Sequence, residues 1–141
     1  MAGSAADDFN RRIIEEFRAN GGRVGDPLAG TPVLLLHHIG ARSGIERVNP
    51  VVYRPHGAGR YVIVASNGGS RTHPAWYRNL KANPVVDIEV GAETFTVRVE
   101  EVSGTERDSL WAELLAASPS LREYEAKAAR QIPVLTLTRD D

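Results

Sequence analysis

From residue 33 onward the chain is written in short runs of β-branched and aromatic residues punctuated by glycine, asparagine and proline, and this grammar restricts the fold more than any other feature. Four runs stand out, at 33–39, 48–53, 61–66 and 85–90. A fifth, 93–102, alternates Phe95, Val97 and Val99 with Thr94, Thr96, Arg98 and Glu100, the pattern of a strand with one wet face. Gly91-Ala92 joins it to the preceding run as a tight hairpin, and a sixth run closes the chain at 133–138. Strands that follow one another through such short turns pair antiparallel, because a parallel neighbour needs a long crossover.

Helical periods flank or interrupt this block. Asp7 and Asp8 can cap a first helix in which Phe9, Ile13, Ile14 and Phe17 share one face while Arg11, Arg12, Glu15 and Arg18 take the other; Asn20-Gly21-Gly22 ends it. Residues 23–32, with Gly25, Pro27 and Gly30, read as a connector. Further helices are expected over 74–82, stopped by Asn83-Pro84, over 105–117 with Leu110, Trp111, Leu114 and Leu115 inward, and over 119–130. The order α-β-β-β-α-β-β-α-α-β predicts an α+β fold, a mostly antiparallel six-stranded barrel or half-barrel with helices outside. The expectation is one domain, 1–141, with the amphipathic helix in 1–22 and the barrel with its helices in 33–138.

Composition removes whole classes of chemistry. Lysine plus arginine number 17 and aspartate plus glutamate 18, a formal charge of −1, so nothing calls for nucleic acid and any phosphate site must be local. Aromatic residues are only 6%, too few for the stacking platforms of single-strand binders. The absence of cysteine excludes disulfides, iron–sulfur clusters, thiolate zinc sites and a cysteine nucleophile. No apolar run approaches the roughly 18 residues of a bilayer span, and residues 1–6 lack a signal-peptide core, so a cytoplasmic protein is expected. The stripe on the first helix either packs on the barrel, its commoner use, or touches the inner face of the membrane.

Chemistry concentrates in three segments. Residues 40–50 carry two glycines that let several N–H groups converge, the Ser43 hydroxyl, and the permanent cations Arg42 and Arg47, which is the make-up of an anion cradle, although a plain hairpin with solvated arginines has the same parts. Neither the phosphate loop of nucleotide hydrolases nor the dinucleotide glycine fingerprint is matched. Residues 65–69, Ala-Ser-Asn-Gly-Gly, let a flat ligand approach the backbone. Trp76 and Tyr77 are adjacent on the following helix, where neighbours diverge, so one of them faces the core. His37 and His38 are successive on a strand and point to opposite faces, His56 and His73 show no ligand spacing, and no metal site is expected. With no nucleophile elbow or acid–base pair either, redox or group-transfer chemistry would belong to a cofactor.

Taken together, these segments are similar to a known family. Phe9-Asn10, Glu16-Phe17-Arg18 and Asn20-Gly21-Gly22, then 40–50, 65–69, Pro74-x-Trp76-Tyr77-x-Asn79-Leu80, Ala82-Asn83-Pro84 and Arg130-x-Ile132-Pro133-Val134 occur in one order across nearly the whole chain. In this the chain resembles the deazaflavin-dependent nitroreductase family, actinobacterial split β-barrel oxidoreductases that use coenzyme F420. The resemblance implies an F420-dependent reductase passing a hydride from the reduced cofactor to a quinone, nitroaromatic or similar conjugated acceptor. It places Arg42, Ser43, Gly44 and Arg47 on the cofactor phosphate, Asn49 and Pro50 along the cofactor, and the deazaflavin ring near Ala65, Ser66, Asn67 and Gly68. Substrate is then expected near Ser66, Trp76 and Tyr124; Ser66 and Tyr124 are the candidate catalytic proton donors, with solvent as the alternative. Some relatives carry a basic residue where Ala41 stands, a lysine in place of Asn67, and several tyrosines where this chain has Tyr124 alone, so substrate identity carries over less well than cofactor identity. An FMN-dependent split-barrel enzyme and a non-catalytic F420-binding or carrier protein are the alternatives.

Overall fold

The path of the chain forces its sheet to curl. The computed structural model describes residues 5–26, 28–66 and 73–139. Among them are seven strands, β1 (Val33–Ile39), β2 (Glu46–Val52), β3 (Arg54–Pro55), β4 (Arg60–Val64), β5 (Val85–Val90), β6 (Glu93–Glu101) and β7 (Val134–Arg139), paired antiparallel in the order β2-β1-β5-β6-β7-β4-β3. The helices are α1 (Ala5–Ala19), α2 (Ala75–Ala82), α3 (Gly104–Ala117) and α4 (Ser120–Ala128). Edge strands β2 and β3 are separated in sequence by Tyr53 alone. One short run of chain thus pairs with β1 at one edge and β4 at the other, so the edges approach each other and the sheet closes except where that run changes partners.

The barrel holds the six expected strands plus β3. A two-residue strand of exposed Arg54 and Pro55 carries no apolar pattern; its pairing with Val62 and Tyr61 exists because the ring closes. Tyr53, at the switch, stacks edge-on against Tyr61, with 5.4 Å between ring centroids, and Tyr61 meets Phe95 at 6.0 Å, filling that end of the barrel.

Alternation along the strands sorts the core into an inside and two outer layers. Leu34 and Leu36 of β1 point inward with Val51, Ile63, Ile88, Val97, Leu135 and Leu137. Val33 and Leu35 point outward beneath Phe17 and Ile14 of α1. Ile13 and Phe17 are 0% and 1% exposed, so the helix stripe is used on the barrel wall, with Phe9 half-buried at its end. The turn after α1 approaches the β5–β6 hairpin so closely that a Cβ on Gly22 would lie 2.7 Å from Gly91 Cα, and both positions have positive φ, which explains glycine at each. On the far side, Val62 of β4 and Val134 of β7 pack against Leu110, Trp111 and Leu114 of α3 and Leu121 of α4.

Several expected boundaries move. Asp7 and Asp8 lie inside α1 rather than capping it, and Asp8 pairs with Arg11 one turn on, at 3.4 Å. β2 starts at Glu46, two residues early, because β1 pairs with it over its whole length from Val33↔Val52 to Ile39↔Glu46. β4 ends at Val64, leaving Ala65 and Ser66 beyond the strand, and α4 stops at Ala128 because Ala129 turns left-handed at φ 53°.

Candidate functional site

The β1–β2 connection is tighter than the sequence suggests. Only 40–45 form the loop, and its amides are largely used by the loop itself: Gly40 N donates to Ile45 O at 2.9 Å, Gly44 N to Gly40 O at 2.9 Å, and Ile45 N to Ser43 Oγ at 3.1 Å. Ala41 N donates to Asn79 Oδ1 of α2 at 2.9 Å. The expected nest of free amides is thereby reduced, and the donors left to a ligand are the Arg42 and Ser43 amides, the Ser43 hydroxyl and the two guanidiniums. Gly44 has φ 71°, which the turn requires of glycine, and a Cβ on Gly40 would displace the Ser43 hydroxyl from its bond to Ile45 N.

Arg47, Asn49 and Pro50 stand on β2 itself. Proline is tolerated there because β2 is an edge strand. Strand alternation puts Arg47 and Asn49 on the face of His38, and Glu46 and Val48 on the face of His37. Arg42 and Arg47 are exposed, and neither has a carboxylate partner among the described residues. Two unneutralised cations, one on the turn and one on the strand that leaves it, are the property an anion site needs.

Behind them lies a polar chain centred on one buried residue. His38 is 1% exposed; its Nε2 lies 2.7 Å from Asn49 Oδ1 and its Nδ1 2.8 Å from Asn79 Nδ2. Burial, reinforced by the nearby charges of Arg47 and His37 and opposed by the Asn49 hydrogen bond, holds the imidazole below its ordinary pKa and hence neutral. Asn83 Nδ2 adds a bond to Ile39 O at 3.3 Å.

A cleft of about 730 Å³ opens where the chain changes sheet edges. Its walls are Pro50 to Pro55, Val62 and Val64 of β4, and Leu114, Leu121 and Tyr124 from α3 and α4, with Ser66, Pro74 and Trp76 completing the rim. Pro50, Ser66, Trp76 and Tyr124, which the sequence reading assigns to cofactor and substrate, therefore share one cavity. Trp76 resolves as both readings at once, packed on the main core and lining the cleft, while Tyr77 also packs on the core and its hydroxyl donates to Glu101. Ala65 is fully buried and does not line the cleft; its N–H donates to Pro133 O at 3.0 Å and its carbonyl accepts from Arg130. Asn67 and Gly68 lie outside the described residues.

Arg130 clamps the point where β4 gives way to that segment. Its Nη2 donates to Ala65 O at 3.1 Å and Ser66 O at 3.2 Å, and its Nη1 lies 3.1 Å from His73 Nδ1. Burial, then the charges of Arg130 and Arg78, lowers the His73 pKa against the pull of Glu101, so the ring is a neutral acceptor for Arg130. The left-handed Ala129 turns the chain so that Arg130 leaves α4 toward the barrel.

A second groove, about 580 Å³, runs between α1 and the end of β2, with His38, Arg47, Asn49 and Ala75 on its wall. Asn49 belongs to this groove and Pro50 to the cleft, and Ala75 and Trp76 make the same step on α2. The groove beside Arg47 and the apolar cleft thus adjoin at two consecutive pairs of residues. Sequence reasoning did not assign His38, Asn79 or Arg130 to the site, because the contacts that tie Asn79 to the loop and to His38, and Arg130 to Ala65, join residues 38 to 65 positions apart; nor did it find Arg54, which reaches the cleft wall only through ring closure. The available signal was that Asn79 and Arg130 sit in segments shared with the resembled family.

The model of a protein family described as F420H(2)-dependent quinone reductase matches residues 9–139. An F420H(2)-dependent quinone reductase of Mycobacterium tuberculosis is 39% identical over 128 residues, covering 87% of this chain and 85% of that protein. A solved structure of an F420-H2 dependent reductase is 38% identical, with TM-score 0.66, over 75% of this chain and 93% of its own. Another, described as a domain-swapped dimer, is 36% identical, with TM-score 0.69, over 88% and 90%.

Proposed function

This chain belongs to the F420H(2)-dependent quinone reductase family, and on that premise we propose how its residues share the work. The protein is an F420H2-dependent oxidoreductase that reduces a quinone, with coenzyme F420 as its cofactor. What most supports the assignment of residues is that Arg47 and Asn49, on one face of β2 next to the cationic loop, line a groove that adjoins the cleft at Pro50. An elongated ligand with an anionic end and a flat end matches that layout, and the cleft volume falls in the usual range for sites that enclose organic ligands. The residues present therefore fit the cofactor.

In this reading Arg42 and Arg47, with the amide and hydroxyl of Ser43 and the open backbone at Gly44, bind the phosphate, and Asn49 and Pro50 line the path of the cofactor. When bound, F420H2 supplies a hydride-donating carbon. The backbone of Ala65 and Ser66, held by Arg130, together with Asn67 and Gly68, orients the ring, and Trp76 and the valines of the cleft exclude water around it. Ser66 Oγ or Tyr124 Oη holds a proton for the reduced acceptor; Tyr124, 37% exposed at the rim, can renew it from solvent. A nitroaromatic acceptor is accommodated by the same apolar walls.

No helix among the described residues is long and apolar enough to cross a membrane. Contact with a membrane where quinones reside would fall to Phe9 and the exposed Arg11 and Arg12 of α1, since the barrel buries Ile13 and Phe17. The test of function is to titrate the full chain with F420 and with FMN by fluorescence, then to mix it with F420H2 and a quinone or a nitroaromatic. Tight FMN binding without F420 binding would overturn the cofactor assignment, and F420 binding without oxidation of F420H2 by any acceptor would make the protein a carrier.

A further inference from the structure

The chain of contacts Ala41–Asn79–His38–Asn49 has one permitted direction, and the direction is dictated by a backbone atom. Ala41 N–H can only donate, so the Asn79 atom 2.9 Å from it must be the carbonyl oxygen. Asn79 then presents its NH2 to His38 Nδ1, which must be the bare, accepting nitrogen. The neutral ring carries its proton on Nε2 and donates it to Asn49 Oδ1. Reversing any one member sets donor against donor or acceptor against acceptor at the next, with His38 too buried for water to absorb the mismatch. The remaining atom, Asn49 Nδ2, has no partner among the described residues, and Asn49 lies on the groove wall beside Arg47.

We propose that Asn79, His38 and Asn49 form a one-way hydrogen-bond relay, anchored on the Ala41 amide, that seats the 40–45 loop and turns an N–H donor of Asn49 into the groove beside Arg47. His38 and Asn79 are positioning residues in this scheme, acting through the loop and through Asn49. The relay places an N–H donor beside the Arg47 guanidinium on the β2 wall of the groove, opposite Arg11, Glu15 and Arg18 of α1, which suits an anionic or acceptor-rich ligand at that wall, and it builds this from neutral groups. His37, next in sequence, is excluded from the relay because it faces the other side of the sheet, against Glu46 and Glu89. The assignment of the ligand as the cofactor rests on the F420 reading above; the direction of the relay does not.

Nitrogen-15 NMR of the imidazoles in the ligand-free full chain at neutral pH tests the direction: His38 should be neutral with the proton on Nε2. A proton on Nδ1, or a charged ring, overturns the relay whatever the cofactor proves to be. F420 titration of two variants tests its purpose. His38→Leu, which can neither accept nor donate, should weaken F420 binding by about tenfold or more, whereas His38→Gln, offering one acceptor and one donor on a planar group, should stay within about threefold of the native protein. If His38→Leu fails to fold, His38→Gln still decides: a folded His38→Gln chain that loses tenfold or more sinks the proposal, as does a folded His38→Leu chain that binds at native strength. If the native protein binds no F420 yet shows the Nε2–H tautomer, the cofactor reading fails and the relay stands, to be tested against inorganic phosphate.

Discussion

His37 and His38 are neighbours on β1, yet the two sides of that strand solve opposite problems. On the outer side, His37 lies between Glu46 at 3.1 Å and Glu89 at 2.7 Å, and Glu89 also takes Arg18 of α1 at 2.7 Å. This charged cluster, half open to solvent, ties α1 to the sheet beside an apolar contact of Phe17 on Val33 and Leu35. On the inner side, His38 sits between two carboxamides and the charges are pushed out to Arg42 and Arg47 at the loop and strand end. Ion pairs suit a surface where water still screens and solvates them, and neutral hydrogen bonds suit an interior where an unpaired charge would be expensive. The comparison also separates jobs: the outer side holds a helix in place, and the inner side prepares a site.

The largest expected effect lies outside. Phe17→Ala should destabilise the fold by about 3–5 kcal/mol in urea unfolding, the usual cost of emptying a buried aromatic position. A loss under about 1 kcal/mol would mean that α1 does not lean on the barrel in solution. On the inner side, Arg42→Ala combined with Arg47→Ala should weaken F420 binding by about a hundredfold and flatten its salt dependence, each charged hydrogen-bond donor contributing roughly tenfold. Glu46→Gln, adjacent to Arg47 but on the other side of β2, should change the affinity by less than about threefold at physiological salt. Equal losses from the two sides would erase the distinction.

Two smaller effects separate the sides by pH. The Arg18 hydrogen bonds, assisted by His37, hold Glu89 below its ordinary value of 4.5 despite its burial, so its stabilisation is complete above that value and is lost as pH falls through the lowered folded one. Glu89→Gln should therefore cost about 1 kcal/mol at pH 7 and progressively less in acid. His38 is also lowered, by burial, from 6.5. The unfolded chain takes up its proton first, so this contribution is intact above 6.5 and erodes as pH falls from there toward the lower folded value. His38→Gln should flatten the stability curve in that earlier window by less than about 1 kcal/mol, and Glu89→Gln only in the later one. Stability curves that shift in the same window for both variants would show that the two sides are not independent.

Much of this was legible locally. A period of two marks strands wherever it occurs, and β1 and β5 fall where their runs of apolar residues place them. The same period separates His37 from His38, and the concentration of arginine and glycine in 40–47 is visible without a structure. Local pattern fails at β3, whose two residues pair only as a result of closure, and at the caps, where Asp7 and Asp8 have the right chemistry but the helix starts earlier.

The site shows the same division. By itself the sequence determined which residues bring charge, hydroxyl and aromatic surface, and that the reaction would be a cofactor's, because composition and motif spacing are properties of the chain. Only the tertiary structure decided that Pro50, Ser66, Trp76 and Tyr124 share one cleft, that loop amides are committed to the loop, and that His38 reads its orientation from the Ala41 amide through Asn79. Hydrogen-bond direction and cavity shape depend on what meets across the barrel, and those meetings are set by ring closure and packing between residues far apart in sequence.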